Sequence, residues 1–344
     1  MTTHTTPTMT AWQNARYGPA AGAALAETPL PTPGRGEVLL QVHATALNAG
    51  DVRLMLGDPL LVRPVFGLTK PKNPVRGMDV AGRVIALGPD VTDAAVGDEV
   101  VVELPGGGGL APFAVAPAAR LARRPESVSV ADAACLPIAG GTAWQALDLA
   151  RVVSVAAAAS ADAADRPPRV LVIGASGGVG TFTVQLAALR GAEVWATCGE
   201  RNRALVEELG AARVLDHRTS PLDGLPAAHF DAVIDVVGGL PLRPLQRLVR
   251  AGGTVVLVSG DGGLVLGPLP RMFKAAVLSI GSARRIRPLA AAAKPEIVRE
   301  LLALVAAGSL RPVIEREHPF AEASAALAHL EAGHTVGKIV VRAG

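Results

Sequence analysis

A short apolar run that breaks into a glycine-rich turn constrains the fold of this chain more than any other stretch. The run begins at Val170, and glycines follow at positions 174, 177, 178 and 180. This pattern predicts a strand, a tight turn and a helix whose first amides face an anion. Residues 191–197 predict the second strand of a βαβ unit. The stretch therefore predicts a dinucleotide-binding turn, with a purely structural turn as the alternative.

The positions that we expect to contact the dinucleotide in this turn share a small side chain or an exposed backbone amide. They are Ala175, Ser176, Gly177, Gly178, Val179 and Gly180. Since backbone groups and the helix start supply the contacts, no charged side chain is required here.

Strand and turn patterns divide the chain into two predicted domains of an α/β fold. Residues 11–103 alternate short apolar runs, such as Glu37–His43, with proline and glycine turns, which predicts a β-rich domain. Beyond residue 170 strands alternate with helices, which predicts a parallel, doubly wound sheet. The strand-like run Lys338–Arg342 is expected to rejoin the first domain. We place the β-rich domain at residues 1–137 and 311–344, and the dinucleotide-binding domain at 138–310.

Composition limits the partners that can be expected. The 33 basic and 30 acidic residues are spread along the chain without a long basic block, so we expect no nucleic-acid partner. No membrane-spanning run is present, and the first residues lack the features of a secretory signal. We therefore expect no membrane association and a cytoplasmic protein. Cys135 and Cys198 are too few for a disulfide framework or a four-cysteine zinc site.

Two apolar stretches suggest an apolar substrate. The pattern of residues 53–76 predicts a long loop that carries large apolar side chains among its prolines. Loops of that kind usually cover a site in the protein. A second stretch, Leu264–Phe273, follows the last predicted strand of the parallel sheet. We interpret the two stretches as facing walls of a substrate site. Packing between subunits is the alternative for residues 264–283.

The carboxyl ends of the parallel strands are the next candidate positions. Ligands in open sheets lie beyond those ends, which indicates Val237 and Gly238 after one strand and Ser259 and Gly260 after another. We predict that they form walls of a nicotinamide pocket. Ordinary loop residues are the alternative.

The end of the second strand bears on the choice of coenzyme. An acidic side chain there would favour NAD⁺ by binding the ribose hydroxyls, but this strand ends in Thr197, Cys198 and Gly199. Arg201 and Arg203 follow, and their guanidinium groups suit a 2′-phosphate. We therefore predict NADPH, with solvent-facing arginines as the alternative.

Several motifs occur in the order found in one enzyme superfamily. They are PGRGEVLLQV at 33–42, ALNAGD at 46–51, GMDVAG at 77–82, VGDEV at 96–100, LPIAGGTA at 136–143, the glycine-rich turn and GHTVGK at 333–338. From about Trp12 to Arg342 the chain resembles the medium-chain dehydrogenase/reductase superfamily, in its zinc-free quinone oxidoreductase and enoyl reductase branch. The resemblance implies a GroES-like catalytic domain and a Rossmann domain, with the active-site cleft between them.

The resemblance also implies roles for particular residues. Asn48 and Met78 stand where alcohol dehydrogenases of the superfamily place cysteine and histidine ligands of a catalytic zinc, and neither side chain suits that metal. We therefore expect no metal. Asn48 is the candidate hydrogen-bond donor to a developing enolate oxygen. Asp51 would orient Asn48 or a water, with capping of a helix as the alternative.

Two further residues match family positions, Thr142 close to the nicotinamide and Lys338 at the active-site cleft. Thr142 follows a glycine pair at the head of a predicted helix, and its alternative is a helix N-cap. Lys338 lies in the terminal glycine-lysine motif, and its alternative is a solvated charge.

Together these features predict a zinc-independent, NADPH-dependent oxidoreductase, which acts as a homodimer and delivers hydride to the activated C=C bond of an apolar enone or to a quinone. Two alternatives stay open. One is a biosynthetic tailoring reductase with an unusual substrate, and the other is a dinucleotide-binding protein with little redox turnover.

Overall fold

Contacts divide the chain into two compact units. The computed structural model describes residues 7–152, 166–259 and 263–343. One unit comprises Met1–Ile138 and Ala293–Gly344, and the other comprises Ala139–Ala292. The first division lies beside the predicted boundary at 137. The second lies earlier than the predicted return at 311, because the helix Pro295–Ala306 contacts the strand Ala122–Arg123 of the first unit.

Fifteen strands are present in the described residues. They are β1 Thr8–Gln13, β2 Ala24–Pro29, β3 Glu37–Leu47, β4 Asp79–Leu87, β5 Glu99–Glu103, β6 Phe113–Pro117, β7 Ala122–Arg123, β8 Arg169–Ile173, β9 Glu193–Cys198, β10 Arg213–Asp216, β11 Phe230–Asp235, β12 Val249–Leu257, β13 Arg285–Pro288, β14 Ile314–Pro319 and β15 Lys338–Arg342.

The α-helices of the same residues are mostly short. They are α1 Ala49–Leu56, α2 Arg63–Phe66, α3 Val130–Ala134, α4 Gly141–Leu149, α5 Gly178–Leu189, α6 Arg203–Glu208, α7 Leu242–Leu248, α8 Leu269–Ser279, α9 Pro295–Ala306 and α10 Ala323–Glu331. A π-helical turn, Leu136–Gly140, joins α3 to α4. Within the described ranges, no helix has both the length and the apolar character needed to cross a membrane.

The second unit is built on a parallel sheet of the doubly wound type. Its strand order is β10-β9-β8-β11-β12-β13, and every pairing is parallel. The chain leaves β8 toward one edge and returns at β11 toward the other, so the order reverses between these two strands. Leu171, Phe230, Val233 and Val255 are fully buried in the core. The predicted Rossmann sheet is confirmed, and its order places a ligand site at the carboxyl ends of β8 and β11.

The first unit is β-rich, as predicted. A two-stranded sheet joins β1 to β2, while seven strands form a sheet in the order β14-β15-β3-β4-β5-β7 with β6 paired to β3. Strand β15 lies between β14 and β3, and Ile339 pairs with Leu47. This register brings residues near 338 beside residues near 48. The late return of the chain to the first domain, which the run Lys338–Arg342 predicted, is thus part of the main sheet.

The segment 53–76 is not the continuous loop that its prolines suggested. Helix α1 extends to Leu56, a 3₁₀ turn covers Leu60–Val62, and α2 follows directly. Prolines at the start of a helical turn are compatible with helix, because the first amides need no intrahelical acceptor. Val65 and Leu68 are exposed, so apolar side chains of this segment remain outside the core.

Candidate active site and dinucleotide-binding turn

The glycine-rich turn has the geometry that a dinucleotide requires. The chain leaves β8 through Gly174, whose φ of +82° favours glycine, and α5 starts at Gly178 with Gly177 as its N-cap. A Cβ added at Gly180 would lie 2.1 Å from the carbonyl oxygen of Gly174, so only glycine lets α5 approach the strand end this closely. The first amides of α5 lack intrahelical acceptors and lie at the positive end of the helix dipole. These residues fit a pyrophosphate.

Residues from neighbouring strand ends surround this turn. The Oγ1 of Thr197 accepts a hydrogen bond from the Gly174 amide at 3.3 Å, and its carbonyl accepts one from Ala175 at 2.9 Å. Val237 follows β11 and is 53% exposed. Gly238 has a φ of +96° and donates its amide to the Asp235 carboxylate at 3.0 Å. The structure thus brings Thr197, Val237 and Gly238 to the turn, and their contact with a coenzyme stays a prediction.

The remaining predicted residues of this region have more varied positions. Ala175 is buried, whereas Ser176 and Val179 are half-buried. Ser259 follows β12, and Gly260 lies outside the described residues. Thr142 lies inside the first turn of α4, which packs on α5, and the N-cap of α4 is Gly140. The capping alternative for Thr142 is therefore wrong.

The two arginines after β9 lie in a short helical region. Arg203 donates from Nε and Nη2 to the two carboxylate oxygens of Glu200, each at 2.8 Å, and from Nη1 to the carbonyl of Val214. The two hydrogen bonds from Arg203 to Glu200 lower the pKa of the Glu200 carboxyl group. Arg201 lies in the 3₁₀ turn Glu200–Asn202. Arg203 therefore shares its charge with a carboxylate, which the sequence alone did not indicate.

Strand β10 adds a residue that the sequence analysis missed. Its end lies beside the end of β9, because the amide of His217 donates to the Cys198 carbonyl at 3.1 Å. The imidazole of His217 faces Gly199, where an added Cβ would meet its Cε1 at 3.8 Å. Only the sheet order, with β9 next to β10, reveals that this histidine lies near the segment that carries Arg201 and Arg203.

In the first unit a buried polar cluster forms around Asn48. This residue is 7% exposed and lies at the N-cap of α1. Its Nδ2 donates to Asp79 Oδ2 at 2.9 Å and to the Ala46 carbonyl at 3.3 Å, while its Oδ1 accepts from the Lys338 ammonium. Lys338 also donates to the Leu47 carbonyl at 2.7 Å. Every hydrogen of the Asn48 amide group is therefore engaged.

Lys338 is a buried charge rather than a solvated one. It is 3% exposed, because β15 places it beside the end of β3. The hydrogen bonds that define its position are those to Leu47 and Asn48. The alternative of a solvated charge is therefore wrong, and the observed contacts of Lys338 are to Leu47 and Asn48, while its predicted contact with the coenzyme stays a prediction.

Asp51 has the capping arrangement that the sequence left as an alternative. One carboxylate oxygen accepts the Asn48 amide at 2.9 Å and the other accepts the Gly77 amide at 2.8 Å. Burial raises the pKa of this carboxyl group, although both backbone hydrogen bonds and the nearby charge of Arg76 act in the opposite direction. Asp51 therefore ties the backbone of Asn48 to that of Gly77.

Asp79 is a site residue that the sequence analysis missed. It is fully buried, and its Oδ2 accepts both Asn48 Nδ2 and the Ile138 amide, the latter at 3.2 Å. Its Oδ1 has no hydrogen-bond partner. Burial raises the pKa of Asp79 to about 8, despite the opposing charge of Lys338. The available signal was a carboxylate at the start of an otherwise apolar strand.

The residues of this cluster do not fit a catalytic zinc. Zinc favours thiolate, imidazole and carboxylate ligands, whereas Asn48 offers an amide oxygen that already accepts from Lys338 and Met78 offers a thioether. The ammonium of Lys338 also opposes a second cation at Asn48. Among the residues that the structure describes, no three His, Cys, Asp or Glu side chains form a group able to hold a metal ion.

Family models match two parts of the chain. Residues 34–126 match the alcohol dehydrogenase GroES-like domain, and residues 209–341 match the model described as zinc-binding dehydrogenase. The second match does not include residues 48 and 78, so its description does not bear on the donor atoms there.

Whole-length relatives are also similar. The chain is 37% identical to the chloroplast envelope quinone oxidoreductase homolog of Arabidopsis thaliana, over 95% of this chain and 96% of the relative. It is 32% identical to the mitochondrial NAD(P)H oxidoreductase RTN4IP1 of Mus musculus, over 89% and 81%.

A solved structure, that of the quinone oxidoreductase from Coxiella burnetii, is 29% identical and has a TM-score of 0.84 over 98% of this chain and 99% of that one. The chain therefore belongs to the medium-chain dehydrogenase/reductase superfamily, in its quinone oxidoreductase and enoyl reductase branch, and is an oxidoreductase that uses a nicotinamide dinucleotide.

Proposed function

We propose that this protein is a zinc-independent reductase that uses NADPH to reduce the activated C=C bond of an apolar enone or a quinone. The observation that supports it most directly is the buried amide of Asn48, oriented by Lys338 on one side and by Asp79 on the other. When bound, the coenzyme supplies the hydride. The residues of the chain must then bind the coenzyme and stabilise the charge that develops on the substrate oxygen.

Asn48 is the proposed donor to that oxygen. The 2.9 Å bond from Nδ2 to Asp79 fixes the amide plane, whereas the 3.3 Å bond to the Ala46 carbonyl is long. A substrate oxygen would replace the longer bond, since it would be the stronger acceptor once charged. The ammonium on Oδ1 polarises the amide and strengthens its N–H donors.

The coenzyme would be held by the second unit. The amides at the start of α5 suit the pyrophosphate, and the strand ends at Val237, Gly238 and Ser259 form the proposed walls of the nicotinamide pocket, while Thr197 ends the strand next to the turn. Thr142, in the first turn of α4, is a further proposed contact. The exposed side chains of Leu61, Val65 and Leu68 in the other unit support an apolar substrate.

The first test is a steady-state screen of NADPH oxidation against enones, quinones, enoyl thioesters and aldehydes, repeated with Asn48→Ala. Loss of one preorganised oxyanion donor should lower kcat by about 100- to 1,000-fold, with the KM for NADPH unchanged because Asn48 lies outside the dinucleotide turn. Asn73→Ala, which changes another asparagine of the same unit, controls for general damage. Unchanged turnover in Asn48→Ala, or loss of wild-type activity in EDTA with recovery on adding zinc, would refute the proposal.

The second test concerns the choice of coenzyme. We propose that Arg201, Arg203 and His217 bind the 2′-phosphate, because the ends of β9 and β10 lie together and carry these basic side chains. Arg203→Ala should lower the ratio of kcat/KM for NADPH over NADH by about tenfold, which is a typical value for one charge-assisted contact. Arg213→Ala, whose guanidinium stacks on Trp195 instead, should leave the ratio unchanged. A wild-type preference for NADH would contradict this assignment.

A further inference from the structure

A buried ion pair connects helix α8 to the strand end beside the glycine-rich turn. Asp235 is the last residue of β11, and its side chain is fully buried. Arg271 of α8 donates from Nη2 to Asp235 Oδ2 at 2.9 Å, and its own side chain is only 14% exposed. The other terminal nitrogen, Nη1, donates to the carbonyl of Leu240. One guanidinium group therefore bonds to two points that are close in sequence.

These two points flank the segment 236–239, which contains the proposed wall of the nicotinamide pocket. Inside the segment, the second oxygen of Asp235 accepts the amide of Gly238 at 3.0 Å. The left-handed φ of Gly238, +96°, reverses the chain here. Arg271 and Asp235 together thus fix the two ends and the bend of this segment.

The same segment, 236–239, packs against the dinucleotide turn. The amide of Val236 donates to the Ile173 carbonyl at 3.1 Å. A Cβ added at Gly174 would lie 2.7 Å from Val237 Cγ2, so the valine side chain covers the first glycine of the turn. A shift of the segment would move Val237 either into or away from the space beside that glycine.

We propose that Arg271 is a positioning residue for coenzyme binding, which acts through Asp235 and Leu240 to fix Val237 and Gly238 beside the dinucleotide turn. This inference rests on the proposed placement of the nicotinamide beside Val237. Arg271 itself does not touch the coenzyme. It contributes by holding the segment in its binding conformation before the coenzyme arrives, which removes an ordering cost from the binding free energy.

The chemistry of the pair explains why Arg271 is needed. Burial raises the pKa of Asp235, and the charge and hydrogen bond of Arg271 lower it. Without the guanidinium, the carboxylate would be left buried and unpaired, which is strongly unfavourable. The segment would open to hydrate the carboxylate, and the bend at Gly238 would be lost with it.

The test is the Kd for NADPH, measured by fluorescence titration of the purified full chain without any acceptor substrate. Arg271→Met should raise the Kd by about tenfold or more, equivalent to about 1.4 kcal/mol. Lys274→Met replaces an exposed cation on the same helix and should leave the Kd unchanged. Arg271→Lys, which keeps the charge but loses one of the two bonds, should give an intermediate Kd and covers the case in which Arg271→Met does not fold.

A double-variant cycle separates positioning from general stability. Asp235→Asn removes the unpaired charge but keeps an oxygen for the Gly238 amide, so Arg271→Met combined with Asp235→Asn should bind NADPH more tightly than Arg271→Met alone. At saturating NADPH, kcat should change less than KM. A lower melting temperature with an unchanged Kd, or an equal loss in Lys274→Met, would overturn the inference. Wild-type NADPH binding without turnover on any acceptor would refute the proposed function and leave this inference standing.

Discussion

Asp79 places a carboxyl group in a fully buried position, where Asn48 donates to one of its oxygens. Burial is the largest influence on the pKa of this carboxyl group and raises it from the ordinary 3.8 to about 8. The folded protein therefore holds this proton up to about pH 8, whereas the unfolded chain releases it near pH 3.8. It follows that the ionisation of Asp79 makes the folded state progressively less stable as the pH rises between these values.

This behaviour predicts the effect of Asp79→Asn. The wild-type free energy of unfolding should fall between pH 5 and pH 8 more steeply than that of the variant, by up to about 1.4 kcal/mol per pH unit. Urea unfolding at several pH values measures the difference. Asp93→Asn changes an exposed carboxylate and should give a curve parallel to that of the wild type. Parallel curves for Asp79→Asn would show that the Asp79 carboxyl does not titrate in this range.

At the scale of elements, the approach of α5 to β8 depends on one glycine. Gly180→Ala places a Cβ against the Gly174 carbonyl oxygen, at 2.1 Å, so the helix must move. We expect a loss of stability of about 1–3 kcal/mol, as for other overpacked sites, together with weaker NADPH binding. Chemical unfolding without coenzyme measures the first effect.

Gly177→Ala is the matched control for that experiment. Its added Cβ would meet nothing closer than the Gly174 oxygen at 3.6 Å, an ordinary contact, and its φ of −80° suits any residue. The stability of the coenzyme-free protein should therefore be close to that of the wild type. Equal destabilisation by the two substitutions would show that the close approach at Gly180 is not what requires glycine.

The sequence predicted those parts of the fold that leave a local pattern in the chain. The turn before α5 and the strand ends at Thr197 and Val237 are examples, because glycine spacing and strand alternation are local signals. The pairing of Lys338 with Asn48 depends on the position of β15 between β14 and β3, which no local pattern shows. The helical turns at residues 60–66 were missed because prolines were interpreted as breakers.

Ion pairs were the other features that the sequence did not predict. Asp235 ends an apolar strand, and Arg271 lies 36 residues later. The residues around each of them therefore give no indication that the two side chains pair. Glu200 and Arg203 are only three residues apart, but their pairing depends on a 3₁₀ turn rather than on a regular helix. The partners of such charges are visible only in the fold.

At the scale of the whole molecule, the second unit exposes an apolar surface on and around α8. Its side chains are all at least 39% exposed, and they are Leu264, Val265, Leu266, Leu269, Met272, Phe273, Val277 and Ile280. Large apolar side chains exposed in this concentration along one helix and the segment before it are typical of an interface. We propose that a second copy of the chain covers it in a two-fold dimer. Its alternative role as a substrate wall stays a prediction.

Light scattering coupled to gel filtration tests the dimer. Phe273 and Ile280 are 73% and 80% exposed, so aspartate at both positions should leave the fold intact and put charges into the interface. We expect the variant with Phe273→Asp and Ile280→Asp to be a monomer, while the wild type is a dimer. Leu68→Asp, at a site 70% exposed in the other unit, should leave the mass unchanged. A monomeric wild type would refute the proposal.

The insertion of β15 between β14 and β3 also orders events during synthesis. A ribosome completes residue 48 long before residue 338, so a nascent chain carries Asn48 and Asp79 without the ammonium that faces them. During that interval the end of β3 lacks one of its neighbouring strands. Translation must therefore pass β15 before the main sheet of the first unit can be completed, and the donor of the proposed reaction acquires its final hydrogen-bond partners only after that point.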